Sequence, residues 1–93
     1  MTEIIYLNAI YNVSKETEKF KFNGTCNYSS KIDNLNMEVY TINNDYVGNV
    51  YYQEFDDRKG NINYTCDIEY FSEIYNTIQS IIEDINAELK KDE

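Results

Sequence analysis

Side-chain polarity alternates residue by residue through most of the first 70 positions and then switches to a recurrence of about 3.6, a rhythm that suits a sheet followed by a helix. The alternation predicts strands over 3–13, 19–28, 35–42, 46–55 and 61–70. In the first, Ile5, Leu7, Ala9, Tyr11 and Val13 share one face while Ile4, Tyr6 and Ile10 occupy the other, so a strand covered on both sides is expected. The second presents a choice. Asn23-Gly24 is the strongest short hairpin signal in the chain, yet a turn there would set Phe22 against Thr25 and Phe20 against Asn27. A continuous strand instead puts Phe20, Phe22, Gly24, Cys26 and Tyr28 on one side and Lys19, Lys21, Asn23, Thr25 and Asn27 on the other. Gly24 then marks a bulge or the close approach of a neighbour. Leu35, Met37 and Val39 form the apolar side of the third strand. In the fourth, Val47, Tyr51 and Phe55 oppose Tyr46, Val50 and Tyr52, and in the fifth Ile62, Tyr64, Cys66, Ile68 and Tyr70 face inward. Polar connections at 15–18, 29–34, 43–45 and 56–60 separate them.

Ser72 then stands in an N-cap position, and Glu73 lies where a carboxylate complements the helix dipole. Ile74, Tyr75, Ile78, Ile81, Ile82, Ile85 and Leu89 follow at helical spacing, with Lys90-Lys91 at the end where cations are favoured, so a helix is predicted over 72–90. Short connections favour antiparallel neighbours. The expected fold is therefore α+β: a meander-like antiparallel sheet of about five strands with one C-terminal amphipathic helix packed on one face, in a single domain over 1–93. Five strands span about 24 Å, whereas one helix covers about 10–12 Å. Either the sheet curls around the helix, or part of an apolar face is left for a second copy or a partner.

Asp and Glu outnumber Lys and Arg 17 to 8, giving −9 on 93 residues, more than solubility requires. Such a chain repels nucleic acid and anionic membranes and attracts basic surfaces. An apolar content of 42%, with ten tyrosines and four phenylalanines, argues for a folded chain despite that charge. Met1-Thr2-Glu3-Ile4-Ile5-Tyr6 carries neither a basic leader nor a long apolar run, so a cytosolic site of action is expected. Cys26 and Cys66 are too few for zinc, and both fall on apolar strand faces, where buried free thiols are expected, although a disulfide is open on arithmetic. The glycosylation sequons beginning at Asn12, Asn23, Asn27 and Asn63 follow from an asparagine-rich chain.

The absence of histidine removes the imidazole base, the Ser-His and Cys-His pairs and the histidine metal ligand. Gly24, Gly48 and Gly60 are isolated, so no phosphate-cradling loop is formed. The acids near Glu54 and the Asn43-Asn44-Asp45 turn lack the ligand spacing of a calcium loop. A non-enzymatic protein without metal or cofactor is expected. Carboxylates do recur two residues apart at Glu16/Glu18, Glu54/Asp56 and Asp67/Glu69, which on a strand would point the same way at about 6.6–6.8 Å. Such rows suit a basic groove built to receive phosphates, although surface acids also simply keep strand edges apart. Glu73, Glu83, Asp84 and Glu88 extend the acidity along the helix, and Tyr6, Tyr40 and Tyr51 offer aromatic anchors. The partner-binding candidates are Glu54, Asp56, Asp57, Asp67, Glu69 and Tyr51.

In size, acidity, lack of catalytic residues and sheet-plus-helix pattern, the whole chain resembles the small phage-encoded inhibitors of bacterial defence, of which anti-CRISPR proteins are the best known. The resemblance implies a stoichiometric inhibitor, acting in a host cytoplasm, that covers the nucleic-acid groove of a defence nuclease with acidic side chains in place of phosphates. An immunity protein neutralising a basic nuclease toxin fits the same residues. A homo-oligomeric viral structural or assembly protein would use an uncovered sheet face instead.

Overall fold

The computed structural model describes residues 2–7, 10–55 and 60–90. Six strands, β1 (Glu3–Leu7), β2 (Ile10–Glu16), β3 (Phe20–Tyr28), β4 (Ile32–Thr41), β5 (Tyr46–Gln53) and β6 (Asn61–Cys66), lie side by side in chain order in one antiparallel sheet. A 3-10 turn (Ile68–Tyr70) leads directly into the helix α1 (Phe71–Lys90). No helix among the described residues is long and apolar enough to cross a membrane.

The core forms where alternation on the sheet meets helical spacing on α1. Val13, Phe20, Phe22, Cys26, Leu35, Met37, Val39 and Val50 point from the sheet into a cluster with Ile74, Ile78, Ile81, Ile82, Ile85 and Leu89. Each large aliphatic side chain sealed there contributes about 1.5–3 kcal/mol. Lys15 shares the inner face of β2 and donates from Nζ to Ser80 Oγ at 2.6 Å, with Asp84 Oδ2 at 3.9 Å, so a polar tether runs beside the apolar contact.

The first expected strand is a hairpin of two. Leu7 pairs with Ile10, and the two intervening residues, Asn8 and Ala9, lie outside the described residues. A two-residue separation inverts the parity of the faces. Ile4 and Tyr6 therefore join Val13 and Tyr11 on the inner side, while Ile5 pairs with Asn12 on the outer one. Asn23-Gly24, the stronger turn signal, stays inside a continuous β3, where Gly24 pairs with Val13 and Met37 without a shift of register. Close approach explains that glycine, because a Cβ would overlap the Asn36 carbonyl of β4.

Two irregularities reset the remaining faces. Asn27 pairs with Asn34 and Tyr28 with Ile32, leaving Asp33 extra and letting β4 start three residues earlier than expected with Ile32 buried. Val39 pairs with Gly48 and Tyr40 with Tyr46, so Val47 is the bulged residue. It turns into the core with Val50, away from Tyr51, and Phe55 lies past the end of β5. At the other end, β6 stops at Cys66 and not at residue 70. The amide of Tyr70 donates to the Asp67 carbonyl at 3.0 Å, which closes the 3-10 turn and starts the helix at Phe71. Ser72 consequently sits within the first helical turn and does not cap it.

Cys26 and Cys66 are free thiols. They stand on β3 and β6 with two strands between them, which alone separates them by about 14 Å at ordinary strand spacing and puts them beyond the reach of a disulfide. Burial pushes the Cys26 thiol up to about 12, with Glu54 and Asp33 adding to the effect.

Candidate partner-binding site

A sheet of six strands is about 29 Å across, and a helix about 10–12 Å thick cannot roof all of it. The shortfall appears at the flanks of the inner face. On β1, Tyr6 is largely exposed and leans edge-on against Tyr11 at 5.1 Å. On β6, Ile62, Tyr64 and Cys66 are half-buried although they belong to the inner face. Phe71 and Tyr75 from the start of α1 lean over that flank, each with its ring 5–6 Å from Tyr64, at 5.1 and 5.9 Å. Tyr64, Cys66, Ile68 and Phe71 line a hollow of about 360 Å³.

Ile68 is the clearest departure from expectation. Parity on a longer strand would have turned it inward, whereas the 3-10 turn rotates it out to 92% exposure. Asp67 and Glu69 flank it, both exposed, and neither has an ion-pair partner among the described residues. Glu73, one helical turn on, is held at 3.1 Å by Lys19. The corner between β6 and α1 thus combines an aliphatic tip, an aromatic wall and two exposed carboxylates. Burial, and then Asp67, raise the Cys66 thiol above its ordinary range, so at neutral pH it is a protonated, apolar part of the wall.

The six sequence candidates do not converge. Asp67 and Glu69 meet at this corner. Glu54 follows Gln53, which pairs with Asn61 at the opposite end of β6. Its carboxylate accepts from the Ile32 amide at 2.9 Å, the Tyr52 hydroxyl at 2.8 Å and Asn86 Nδ2 at 3.4 Å, so it ties β4, β5 and α1 together. Tyr51 lies on the outer sheet face, paired with Asn36 and Asn63. Asp56 and Asp57 lie outside the described residues. None of the carboxylate pairs forms a row on a strand: Glu18 is beyond β2, Glu54 is beyond β5, and Asp67 and Glu69 are beyond β6.

The outer face is amide-rich and carries few charges. One transverse row reads Ile5, Asn12, Thr25, Asn36, Tyr51 and Asn63, and the next Glu3, Ser14, Asn23, Glu38, Asn49 and Thr65. A hollow of about 300 Å³ there mixes Glu3 and Glu16 with Lys21. Among the described residues, no three Cys, Asp or Glu side chains gather into a metal-holding group. Ile68, Phe71, Tyr64 and Tyr75 were missing from the sequence candidates. The signal for Ile68 was present: with a helix beginning near residue 71, residues 67–70 had to supply the connection and were not free to extend the strand. Comparison with protein-family models, curated proteins and solved structures returns no match.

Proposed function

We propose that this chain is a non-enzymatic binding protein whose β6–α1 corner captures a basic protein surface. In its most specific form it is a stoichiometric inhibitor of a nuclease or other nucleic-acid-handling effector of bacterial defence, since such proteins carry extended Lys- and Arg-lined grooves. The observation that carries the reading is Ile68, 92% exposed between the carboxylates of Asp67 and Glu69, which have no ion-pair partner among the described residues. A lone exposed aliphatic residue is ordinary, but one standing over an aromatic-walled hollow supplies the apolar anchor an interface centre needs. The adjoining acids and the net charge of −9 supply steering. Rows of strand carboxylates imitating a phosphate backbone play no part, because the pairs lie off the strands.

The test is affinity capture from nuclease-bearing bacterial lysates with the native chain and with an Asp67→Lys/Ile68→Ser/Glu69→Lys variant, followed by assay of the captured nuclease. A nuclease retained and inhibited by the native chain alone, with association slowing steeply as salt rises, supports the reading. Equal retention by a variant of unchanged circular dichroism overturns it.

A further inference from the structure

Among the described residues, the two ends of the meander present two free strand edges, β1 and β6. Native sheets usually protect such edges with charges, proline or a bulge. Along its six residues β6 has none of these: Asn61, Ile62, Asn63, Tyr64, Thr65 and Cys66 are uncharged and pair with β5 in unbroken register. Its C-terminal end runs straight into the apolar hollow and the Asp67–Glu69 turn. The β1 edge is different. It opens on Glu3, and the hollow beside it is lined by Thr2, Ile4, Asp84, Ala87 and Glu88, where Asp84 is already held by the Thr2 hydroxyl at 2.7 Å and lies near Lys15.

We infer that the partner contributes an extended, basic, alternating segment that pairs with the free edge of β6 as a seventh strand. This deepens the reading of the corner as a basic-surface site and rests on it. Main-chain hydrogen bonds to β6 hold the segment, and alternate side chains face opposite sides of the sheet. The side chain opposite Cys66 points to the inner face, into the hollow walled by Tyr64, Ile68 and Phe71, so an aliphatic residue is required there. Side chains on the other side meet the neutral row of Asn61, Asn63 and Thr65. In the more stable antiparallel sense the N-terminal end of the segment lies by Cys66, and Lys or Arg just before it reaches Asp67 and Glu69. Charge separates this occupant from a second copy of the chain, which would bring a second net charge of −9 to the contact.

The probe is a synthetic blocked octapeptide, Arg-Lys-Leu-Thr-Val-Thr-Val-Thr, titrated into the full-length isotope-labelled chain. Two versions N-methylated on alternate residues, offset from each other by one, keep every side chain but remove one set of main-chain donors each. A fourth peptide replaces Arg-Lys with Glu-Glu. Strand addition predicts backbone contacts to residues 61–66, slower alkylation of Cys66 on binding, and loss of affinity by about tenfold or more for one N-methylated version only, because only alternate amides face β6. Cys26, fully buried, stays silent in the alkylation. The Glu-Glu peptide binds about tenfold more weakly or worse. Equal affinity for both N-methylated versions and the parent, with charge dependence retained, overturns strand addition and leaves the basic-surface reading standing. Equal binding of the Glu-Glu peptide overturns that reading too. No binding of the parent peptide, or concentration-dependent contacts at 61–66 without peptide, overturns strand addition in favour of another mode or of self-pairing.

Discussion

The centre of the sheet and its β6 flank are built from similar side chains in opposite circumstances. Under α1, Phe22, Leu35, Met37 and Val39 are sealed by Ile74, Ile78, Ile81 and Ile85. On β6 the inward residues Ile62, Tyr64 and Cys66 meet only the margin of the helix and stay half-buried. The cause is geometric, because a single helix roofs less than half the width of a sheet this broad. The contrast teaches that the candidate site is a by-product of the architecture. A chain that commits its helix to the middle strands leaves an apolar border at the end strand, and the acids at 67 and 69 set what that border attracts.

Truncation separates the two regions most strongly. Phe22→Ala should cost about 3–5 kcal/mol in urea unfolding, since the cavity it leaves has rigid walls on both sheet and helix. Glu54→Ala should cost about 1–3 kcal/mol, because the Ile32 amide and the Tyr52 hydroxyl lose their shared acceptor; a wild-type melting curve would show that this clamp adds nothing to stability. A smaller effect appears at alkaline pH. Burial, followed by the hydrogen bond to Glu54, raises Tyr52 above its ordinary value of 10.0, so the folded chain keeps a proton that the unfolded chain releases. Stability from this source is complete below that value and falls as pH climbs beyond it, and Tyr52→Phe should flatten the decline in pH-dependent melts. The smallest effect on folding belongs to Ile68→Ser, within about 0.5 kcal/mol by urea titration. Partner affinity should nevertheless drop about tenfold or more in the same variant, measured by calorimetry, as expected when an anchor no longer leaves water. A large loss of stability there would erase the distinction between border and core.

Much of the fold was legible because period two and helical spacing report burial directly: Phe20, Phe22 and Cys26 share a face, and Ile74, Ile78, Ile81, Ile85 and Leu89 form the helix stripe. What escaped was whatever changes parity without changing composition. The hairpin between Leu7 and Ile10 carries no Asn-Gly or Asp-Gly signature, so alternation ran through it unbroken. The bulge at Val47 similarly swaps faces with an ordinary β-branched residue. The site was legible in half. Acid spacing singled out Asp67 and Glu69, but a strand extended by four residues hid Ile68 on the wrong side. Glu54 was chosen for its charge, whereas its role follows from contacts with Ile32 and Asn86, distant in sequence and invisible to local pattern.

The stretch Asn23-Gly24 carries one further consequence. Asparagine followed by glycine ages readily in a loose chain, because the glycine nitrogen attacks the side-chain carbonyl, expels ammonia and leaves a cyclic imide. Here both residues are stretched flat and gripped on either side by β2 and β4, which holds that nitrogen out of line for attack. Deamidation at Asn23 therefore runs only when the middle of the sheet comes apart, and its slow accumulation in storage counts those excursions.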